Sequence, residues 1–380
     1  MNTYLDHNAT TPVAPAVLQA MLPYLSEVAA NPSAVHSGGR RARAAIDHAR
    51  EQVAALVNAH PSQVVFASGG TEANNLAIRG CAVGMGLDRV ACGATEHPSV
   101  MDTCLALQKQ GLQFSTIAVD AQGLLDQGNL QAVLAQGRQL VSVMLANNET
   151  GVLHDIVRIA EQVRAAGAIL HTDAVQAAGK LSLDYHQLGA HLMTLSAHKI
   201  YGPKGMGAVV LDKQLKLEPL IYGGGQEKGL RSGTENVAAI VGFGQAAEQA
   251  LQSLSSAAQM SQLRDQLEQG VAQISGSVVF AQQTQRLSNT SFFSIAGIDG
   301  ETLLMNLDLA GFAVASGSAC ASKSEEPSHV LMAMGVDKEI ARGAIRVSLG
   351  RTTTSDDIAA FLQALQQQVT MLRSMSAMLV

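Results

Sequence analysis

The segment Ser196-Ala197-His198-Lys199-Ile200-Tyr201-Gly202-Pro203-Lys204-Gly205 sets a lysine between an apolar run (Leu192, Met193, Leu195) and a glycine-rich turn. A lysine held at a strand end and partly desolvated can capture an aldehyde through its ε-amine, and pyridoxal phosphate is the usual biological aldehyde of this kind. The competing reading is a surface lysine before a turn, and this segment alone does not choose. Ser68-Gly69-Gly70-Thr71-Glu72-Ala73-Asn74 follows one apolar run and opens a helical one. Glycines there let backbone N–H groups approach an anion at a helix N-terminus, with the Thr71 hydroxyl beside them; an ordinary Gly-Gly turn is the alternative. In His171-Thr172-Asp173-Ala174-Val175-Gln176 a carboxylate stands at a strand end. It can keep a pyridine nitrogen protonated and so make the ring an electron sink, with Gln176 donating to a phenolic oxygen, or it can cap the next helix. Glu96-His97-Pro98 puts an imidazole at another strand end, able to stack on a planar ring or move protons, or to be structural.

Three further segments carry reactive or charged groups. Gly223-Gly224-Gly225-Gln226-Glu227 and Leu230-Arg231-Ser232-Gly233-Thr234 read as a flexible polar loop, either plain connection or a means for a neighbouring subunit to reach a phosphate with Thr234. The small-residue run Ser316-Gly317-Ser318-Ala319-Cys320-Ala321-Ser322-Lys323-Ser324-Glu325-Glu326-Pro327 sets one cysteine in polar surroundings, as a reactive thiol requires. Lys323 and His329 favour its thiolate; Glu325 and Glu326 oppose it. Cys81, Cys92 and Cys104 lie in apolar or helical contexts and read as structural. Arg346 lies in a strand-like run, where it is costly unless paired, and its fork matches a carboxylate. Arg351 lies in a polar turn and reads as surface.

The elements that must position these groups are legible as apolar runs. Val64-Val65-Phe66-Ala67, Val90-Ala91-Cys92, the stretch 140–145 and Ala168-Ile169-Leu170 read as strands buried on both faces, as in a parallel sheet covered by helices. Between them Ala42, Ala45, Ile46, Ala49, Val53 and Leu56 recur at helical spacing, as do Ile156, Ile159, Ala160 and Val163, with Gly167 as a stop. The expected class is α/β, with polar clusters at strand ends where ligands gather in open α/β sheets. A Gln/Ala/Leu-rich pattern over 246–270 reads as one long helix bridging to a second unit with strand-like pieces at 278–280, 290–295 and 345–349. A final helix carries a Thr354/Asp357 capping box and the stripe Ile358, Phe361, Leu362, Leu365, Val369.

Composition bounds the rest. With 380 residues, 47% of them apolar, a large core is available; at 3% aromatic and no Trp, it must be built from aliphatic side chains and Met. A net charge of −6 argues against nucleic acid, and Arg40, Arg41 and Arg43 read as a solvated helix face. Neither a secretory signal nor a membrane-length apolar run is visible. The four cysteines lack C-x-x-C spacing, which argues against a disulfide framework or a metal cage. A soluble protein of a reducing compartment, the cytoplasm, is the expectation.

Taken together and in this order, these segments resemble a cysteine desulfurase of the NifS/IscS type, within the class-V aminotransferase group of pyridoxal-phosphate enzymes. The resemblance runs from Tyr4-Leu5-Asp6-His7-Asn8-Ala9-Thr10-Thr11-Pro12 to Arg351-Thr352-Thr353. It includes Asn31-Pro32-Ser33, Asn147-Asn148-Glu149-Thr150-Gly151 and Glu326-Pro327-Ser328-His329. It implies PLP fold type I: a large domain at 13–255 with a mainly parallel sheet, and a smaller α+β domain formed by 1–12 and 256–380 that carries the Cys320 loop. Lys199 resembles the Schiff-base lysine, Asp173 the partner of the pyridine nitrogen and His97 the ring-stacking residue. Gln176 and Asn148 would contact the phenolic-oxygen side. Gly70, Thr71, Ser196 and His198 would hold the phosphate, with Thr234 donated across a homodimer interface. Arg346, with Asn148, would bind the substrate, L-cysteine, and Cys320 would accept its sulfur as a persulfide for an acceptor such as an iron–sulfur scaffold protein. The length of the Cys320 segment resembles the class whose cysteine swings between active site and acceptor. Two departures bear on the acceptor: the chain stops at Val380, where housekeeping members usually carry a longer docking tail, and 212–218 has few positive charges. A selenocysteine lyase or transaminase on the same scaffold, and a non-catalytic binding module, are the rivals. A transaminase needs no nucleophilic thiol, and a degenerate module would not keep Lys199, Asp173, His97, Cys320 and Arg346 together.

Overall fold

Apolar runs with no polar face form the centre of the protein, seen in a computed structural model that describes residues 3–316 and 326–377. A short strand, β1 (Thr3–Tyr4), precedes the seven strands of the main sheet: β2 (Val64–Ala67), β3 (Arg89–Gly93), β4 (Gln113–Ile117), β5 (Leu140–Ser142), β6 (Ile169–Asp173), β7 (Leu192–Ser196) and β8 (Gly207–Leu211). Their order is β2-β8-β7-β6-β5-β3-β4. All neighbours are parallel except β8, which runs antiparallel to both β2 and β7. Strands β2, β5, β6, β7 and β8 are buried along their whole length, because helices cover both faces. On one face Ile46, Val53 and Phe243 pack with Ile156, Val163, Val141 and Leu170. On the other, Leu76, Val100 and Leu107 pack with Val65, Val90 and Leu192. Each such fully buried aliphatic or aromatic side chain contributes about 1.5–3 kcal/mol through the water it leaves.

The direction of β8 matters for the site. Antiparallel neighbours need no crossover helix, so β7 and β8 are joined directly by the connection 197–206, with Ser196 opposite Gly207 in the register. Lys199 stands in that connection, held at the sheet by hydrogen bonds from Ala197 N to Met206 O and from Gly202 N to Ala197 O.

A second, antiparallel sheet follows: β9 (Ser277–Val279), β10 (Thr290–Ile295), β11 (Phe312–Ala313), β12 (Ala315–Ser316) and β13 (Ala344–Ser348), in which the order is β12-β13-β10-β9 and β11 pairs instead with β1 in parallel. The helices Ala257–Val271 and Ser355–Ala377 cover this sheet through Leu263, Leu267, Ile358, Phe361 and Leu365. The mainly parallel sheet and the smaller α+β unit match the expected fold class.

Most expected elements are present, and three readings are corrected. The pattern over 246–270 is two helices, Val237–Gln252 and Ala257–Val271, separated by a 3-10 turn at Leu254–Ser256. The Ser253 hydroxyl donates to Ala250 O at 3.0 Å, a local bond that competes with helix continuation. The glycine loop around Gly225 is not free: Glu227 is buried, accepts both Arg50 nitrogens at 2.7 Å, and takes Phe66 N of β2 at 2.8 Å. Of the arginines read as a solvated face, Arg40 and Arg41 are exposed, but Arg43 pairs at 2.7 Å with buried Glu235. The final helix has its capping box, with Thr354 N to Asp357 Oδ2 at 2.8 Å and Asp357 N to Thr354 Oγ1 at 3.2 Å, and Gly167 stops its helix with φ +66°.

Candidate active site

The carboxyl ends of the parallel strands open on a cleft of ≈ 430 Å³, where a ligand of an α/β sheet is expected. Gly70, Thr71, His97, Asn148, Asp173, Gln176, Ser196, His198, Lys199 and Arg346 all line it. Thr234 does not. It is exposed in a separate hollow with Ser68, Gly205 and Arg231. Cys320 lies outside the described residues.

Lys199 ends the 3-10 turn that follows β7. Its ammonium donates to the carbonyls of Asn8 at 2.6 Å and Ala9 at 2.7 Å. The N-terminal segment grips the same turn, since Thr11 N and Thr11 Oγ1 both donate to His198 O, at 2.9 and 3.0 Å. At the end of β6, Asp173 takes Val175 N on Oδ1 at 2.9 Å and Asn74 Nδ2 on Oδ2 at 2.8 Å. No helix starts at Asp173 for it to cap; its carboxylate takes an N–H of the turn that follows β6 and still lines the cleft. Asn74 also donates to Ser99 Oγ at 2.9 Å, tying Asp173 to the loop of His97.

His97 caps the helix Pro98–Lys109: Ser99 N donates to His97 Nδ1 at 3.1 Å. That bond makes Nδ1 an acceptor and leaves the ring proton to Nε2. Burial pushes the imidazole below the ordinary histidine value, against the pull of Asp173, with Lys199 and His329 adding to the shift. The ring is thus neutral near pH 7, suited to stack or to take up a proton. The preceding residue, Glu96, is fully buried, and burial raises its carboxyl well above the usual range. Met144 N donates to its Oε1 at 2.6 Å.

The side of the cleft at Gly70 is shaped for an anion. A helical run opens there, and its first-turn N–H groups lack intrahelical acceptors. A Cβ at Gly70 would sit 3.3 Å from Val175 Cγ2 and 3.6 Å from Ser196 Cβ, so the backbone forms a close notch. Ser196 Oγ is buried with no hydrogen-bond partner among the described residues, a donor that costs stability unless a ligand takes it. Burial first, then Lys199 and Lys204, push His198 down to about 4, leaving a neutral imidazole beside the notch. Hydroxyls, backbone N–H groups and neutral rings make a phosphate-type donor set.

Opposite, Arg346 on β13 is 6% exposed, with Nη2 to Asp6 Oδ1 at 2.7 Å and Nη1 to Asn148 O at 3.1 Å. Its Nε is buried without a partner among the described residues. Gln176 gives one amide N–H to Asn8 O at 3.0 Å and accepts Lys180 Nζ on Oε1 at 2.8 Å. Glu149, fully buried, receives the Ser328 hydroxyl, and burial raises its carboxyl against that bond and the charges of His329 and Arg346.

Asn8, Lys180, Asp6 and Asn74 escaped the sequence reading. Asn8 is a hub: its carbonyl takes Lys199 and Gln176, its amide reaches Asn148 O and Thr290 Oγ1, and its Oδ1 takes Lys180. The polar run at 6–10 was a signal for the segment, but no periodicity marks which residue of it faces inward. Cys81, Cys92 and Cys104 are buried as expected, and burial pushes the Cys81 thiol up to about 12.

The family model for aminotransferase class-V proteins matches residues 3–361. A cysteine desulfurase IscS of Dictyoglomus turgidum is 41% identical over 377 residues, covering 98% of this chain and 96% of its own. Among solved structures, a NifS-like protein from Rickettsia africae superposes with a TM-score of 0.90 at 35% identity, over 97% of this chain and 100% of that one. SspA in complex with cysteine does so with a TM-score of 0.80 at 33% identity, over 91% and 98%.

Proposed function

The chain belongs to the class-V aminotransferase family, among the cysteine desulfurases of the NifS and IscS type, and we propose that it converts L-cysteine to L-alanine and takes the sulfur onto Cys320 as a persulfide. Its cofactor is pyridoxal phosphate, which the notch at Gly70 and the unpartnered Ser196 hydroxyl fit. When bound, that group supplies an electron sink for bonds at the substrate α-carbon. Lys199 would tether it through Nζ, and a free Nζ at that place would be the base that moves protons. Asp173 would serve the pyridine nitrogen and His97 the ring. Gln176 and Asn148 would serve the phenolic oxygen. Gly70, Thr71, Ser196 and His198 would hold the phosphate. Arg346 binds the substrate carboxylate beside Asn148. The Cys320 thiolate attacks the substrate sulfur: an S–S bond forms, the carbon–sulfur bond breaks, and its electron pair stays with the carbon that takes up a proton to become alanine's methyl group.

The observation that carries this reading is the meeting of Lys199, Asp173, His97 and Arg346, far apart in sequence, around one cleft of ≈ 430 Å³. A structural neighbour solved with cysteine supports the substrate class. The test is to incubate the holoenzyme with L-cysteine, measure alanine, and map added sulfur by mass spectrometry. Alanine should form, with the extra sulfur on the peptide containing Cys320. A transaminase would yield a keto acid and no persulfide. Cys320→Ser should keep the cofactor and lose cysteine-dependent sulfide release; full release from that variant removes Cys320 from the mechanism.

The finer proposals follow from the same reading. Residues 13–255 form the large domain, and 1–12 with 256–380 the small one. The protein acts as a homodimer, which the exposed Leu18, Leu22, Leu25 and Val35 support, and Thr234 of one subunit serves the phosphate of the other. Mixing Lys199→Ala with Thr234→Ala subunits should then restore one intact site per mixed dimer. No activity above either parent would place Thr234 outside the neighbouring site. The sulfur passes to an acceptor protein, such as an iron–sulfur scaffold protein. We assign the cytoplasm as location; no described helix is long and apolar enough to cross a membrane. A net charge of −6 favours no nucleic-acid partner.

A further inference from the structure

Lys180 is absorbed by none of these roles. Gly179, at φ +71°, has no room for a side chain, since a Cβ would lie 2.8 Å from Ile200 Cγ2. The turn it makes folds Lys180 back over Gln176. The ammonium then donates to Gln176 Oε1 at 2.8 Å and to Asn8 Oδ1 at 2.9 Å. These bonds have a consequence for chemistry. Lys180 Nζ donates to the amide oxygen of Gln176, which therefore faces it. The Asn8 carbonyl, an acceptor only, takes one N–H of the same amide at 3.0 Å. Held from both ends, the amide has one orientation, and its second N–H is left for the cleft that Gln176 lines. A hydrogen-bond donor on the amide oxygen also polarises the group and strengthens that remaining donor.

We propose that Lys180 is a positioning residue: it locks Gln176 with its amide nitrogen toward the cleft and so sets the donor offered to the phenolic oxygen of the bound cofactor. The proposal rests on the assignment of Gln176 to that oxygen. Burial, with the charges of Lys199 and Arg346, pushes the Lys180 ammonium well below the ordinary lysine value.

The experiment is a double-mutant cycle on the holoenzyme, read by the visible absorption band of the bound cofactor and by its dissociation constant, both independent of turnover. Lys180→Met should shift the band and weaken cofactor retention about tenfold, the loss of one hydrogen bond to a charged group. In a Gln176→Ala background the same substitution should do almost nothing further, because both changes remove one donor. Lys180→Arg, which can only donate, should keep the wild-type band. An unshifted band in Gln176→Ala removes the Gln176 role and the proposal with it. A shifted band in Gln176→Ala with an unshifted one in Lys180→Met removes Lys180 alone. Equal effects of Lys180→Met with and without Gln176, or a lost band in folded Lys180→Arg, also overturn it.

Discussion

Lys199→Ala should abolish turnover, with a fall of at least about 10⁴-fold, the upper range for removal of one positioned acid–base group, and should leave a protein that loses its cofactor on dialysis. Two functions disappear together. The Nζ proposed to tether the cofactor would be gone, and with it the base proposed for the proton transfers. The fold should survive, because the grip of Thr11 on His198 O that holds this turn does not use the Lys199 side chain. Borohydride reduction followed by peptide mapping should label residue 199 in the wild type and nothing in the variant. Turnover within tenfold of wild type, or a label elsewhere, would sink the assignment. Added primary amines offer a further check: a small amine that fits the vacated space should restore part of the proton transfer but none of the tether.

Candidate groups at strand ends were legible as members of one cleft, because an apolar run stopping at a polar residue marks a sheet edge. His97, Asp173 and Lys199 all follow such runs, and the cleft brings them together. Strands β2, β6, β10 and β13 were legible for the same reason, being buried throughout. Strand β4 was hidden: Gln113-Phe114-Ser115-Thr116-Ile117 lies at the sheet edge with part of its surface wet, so it lacks a continuous apolar run. The antiparallel course of β8 was hidden too, since hydrophobic pattern reports burial and not direction. Yet that course creates the direct connection bearing Lys199. The missed site residues act through backbone atoms or through partners remote in sequence. The carbonyl of Asn8 meets Lys199, and Asp6 meets Arg346. Arg346 was correctly expected to need a partner, but nothing local names Asp6.

That partner gives the second large prediction its control. Arg346→Ala should lower kcat/KM for L-cysteine by about 10²–10⁴-fold, mostly through KM. Two charge-assisted hydrogen bonds to a carboxylate are lost, at about 1.5–3 kcal/mol each, and about 1.4 kcal/mol is tenfold. Arg346→Lys keeps the charge without the planar fork and should fall between. The guanidinium already spends Nη2 on Asp6 and Nη1 on Asn148 O, and Nε is buried without a partner among the described residues. Asp6 therefore does two things: it neutralises Arg346 before substrate binds, and it competes with the incoming carboxylate. Asp6→Asn retains an acceptor oxygen at that position while removing the competing charge, so KM should stay level or fall. If Arg346 served only to pair with Asp6, the two variants would be equally impaired, with matching losses in apoenzyme thermal stability. Equal damage would refute the substrate role. A KM raised in Arg346→Ala alone would mean that the arginine meets the substrate carboxylate, with Asp6 holding it ready.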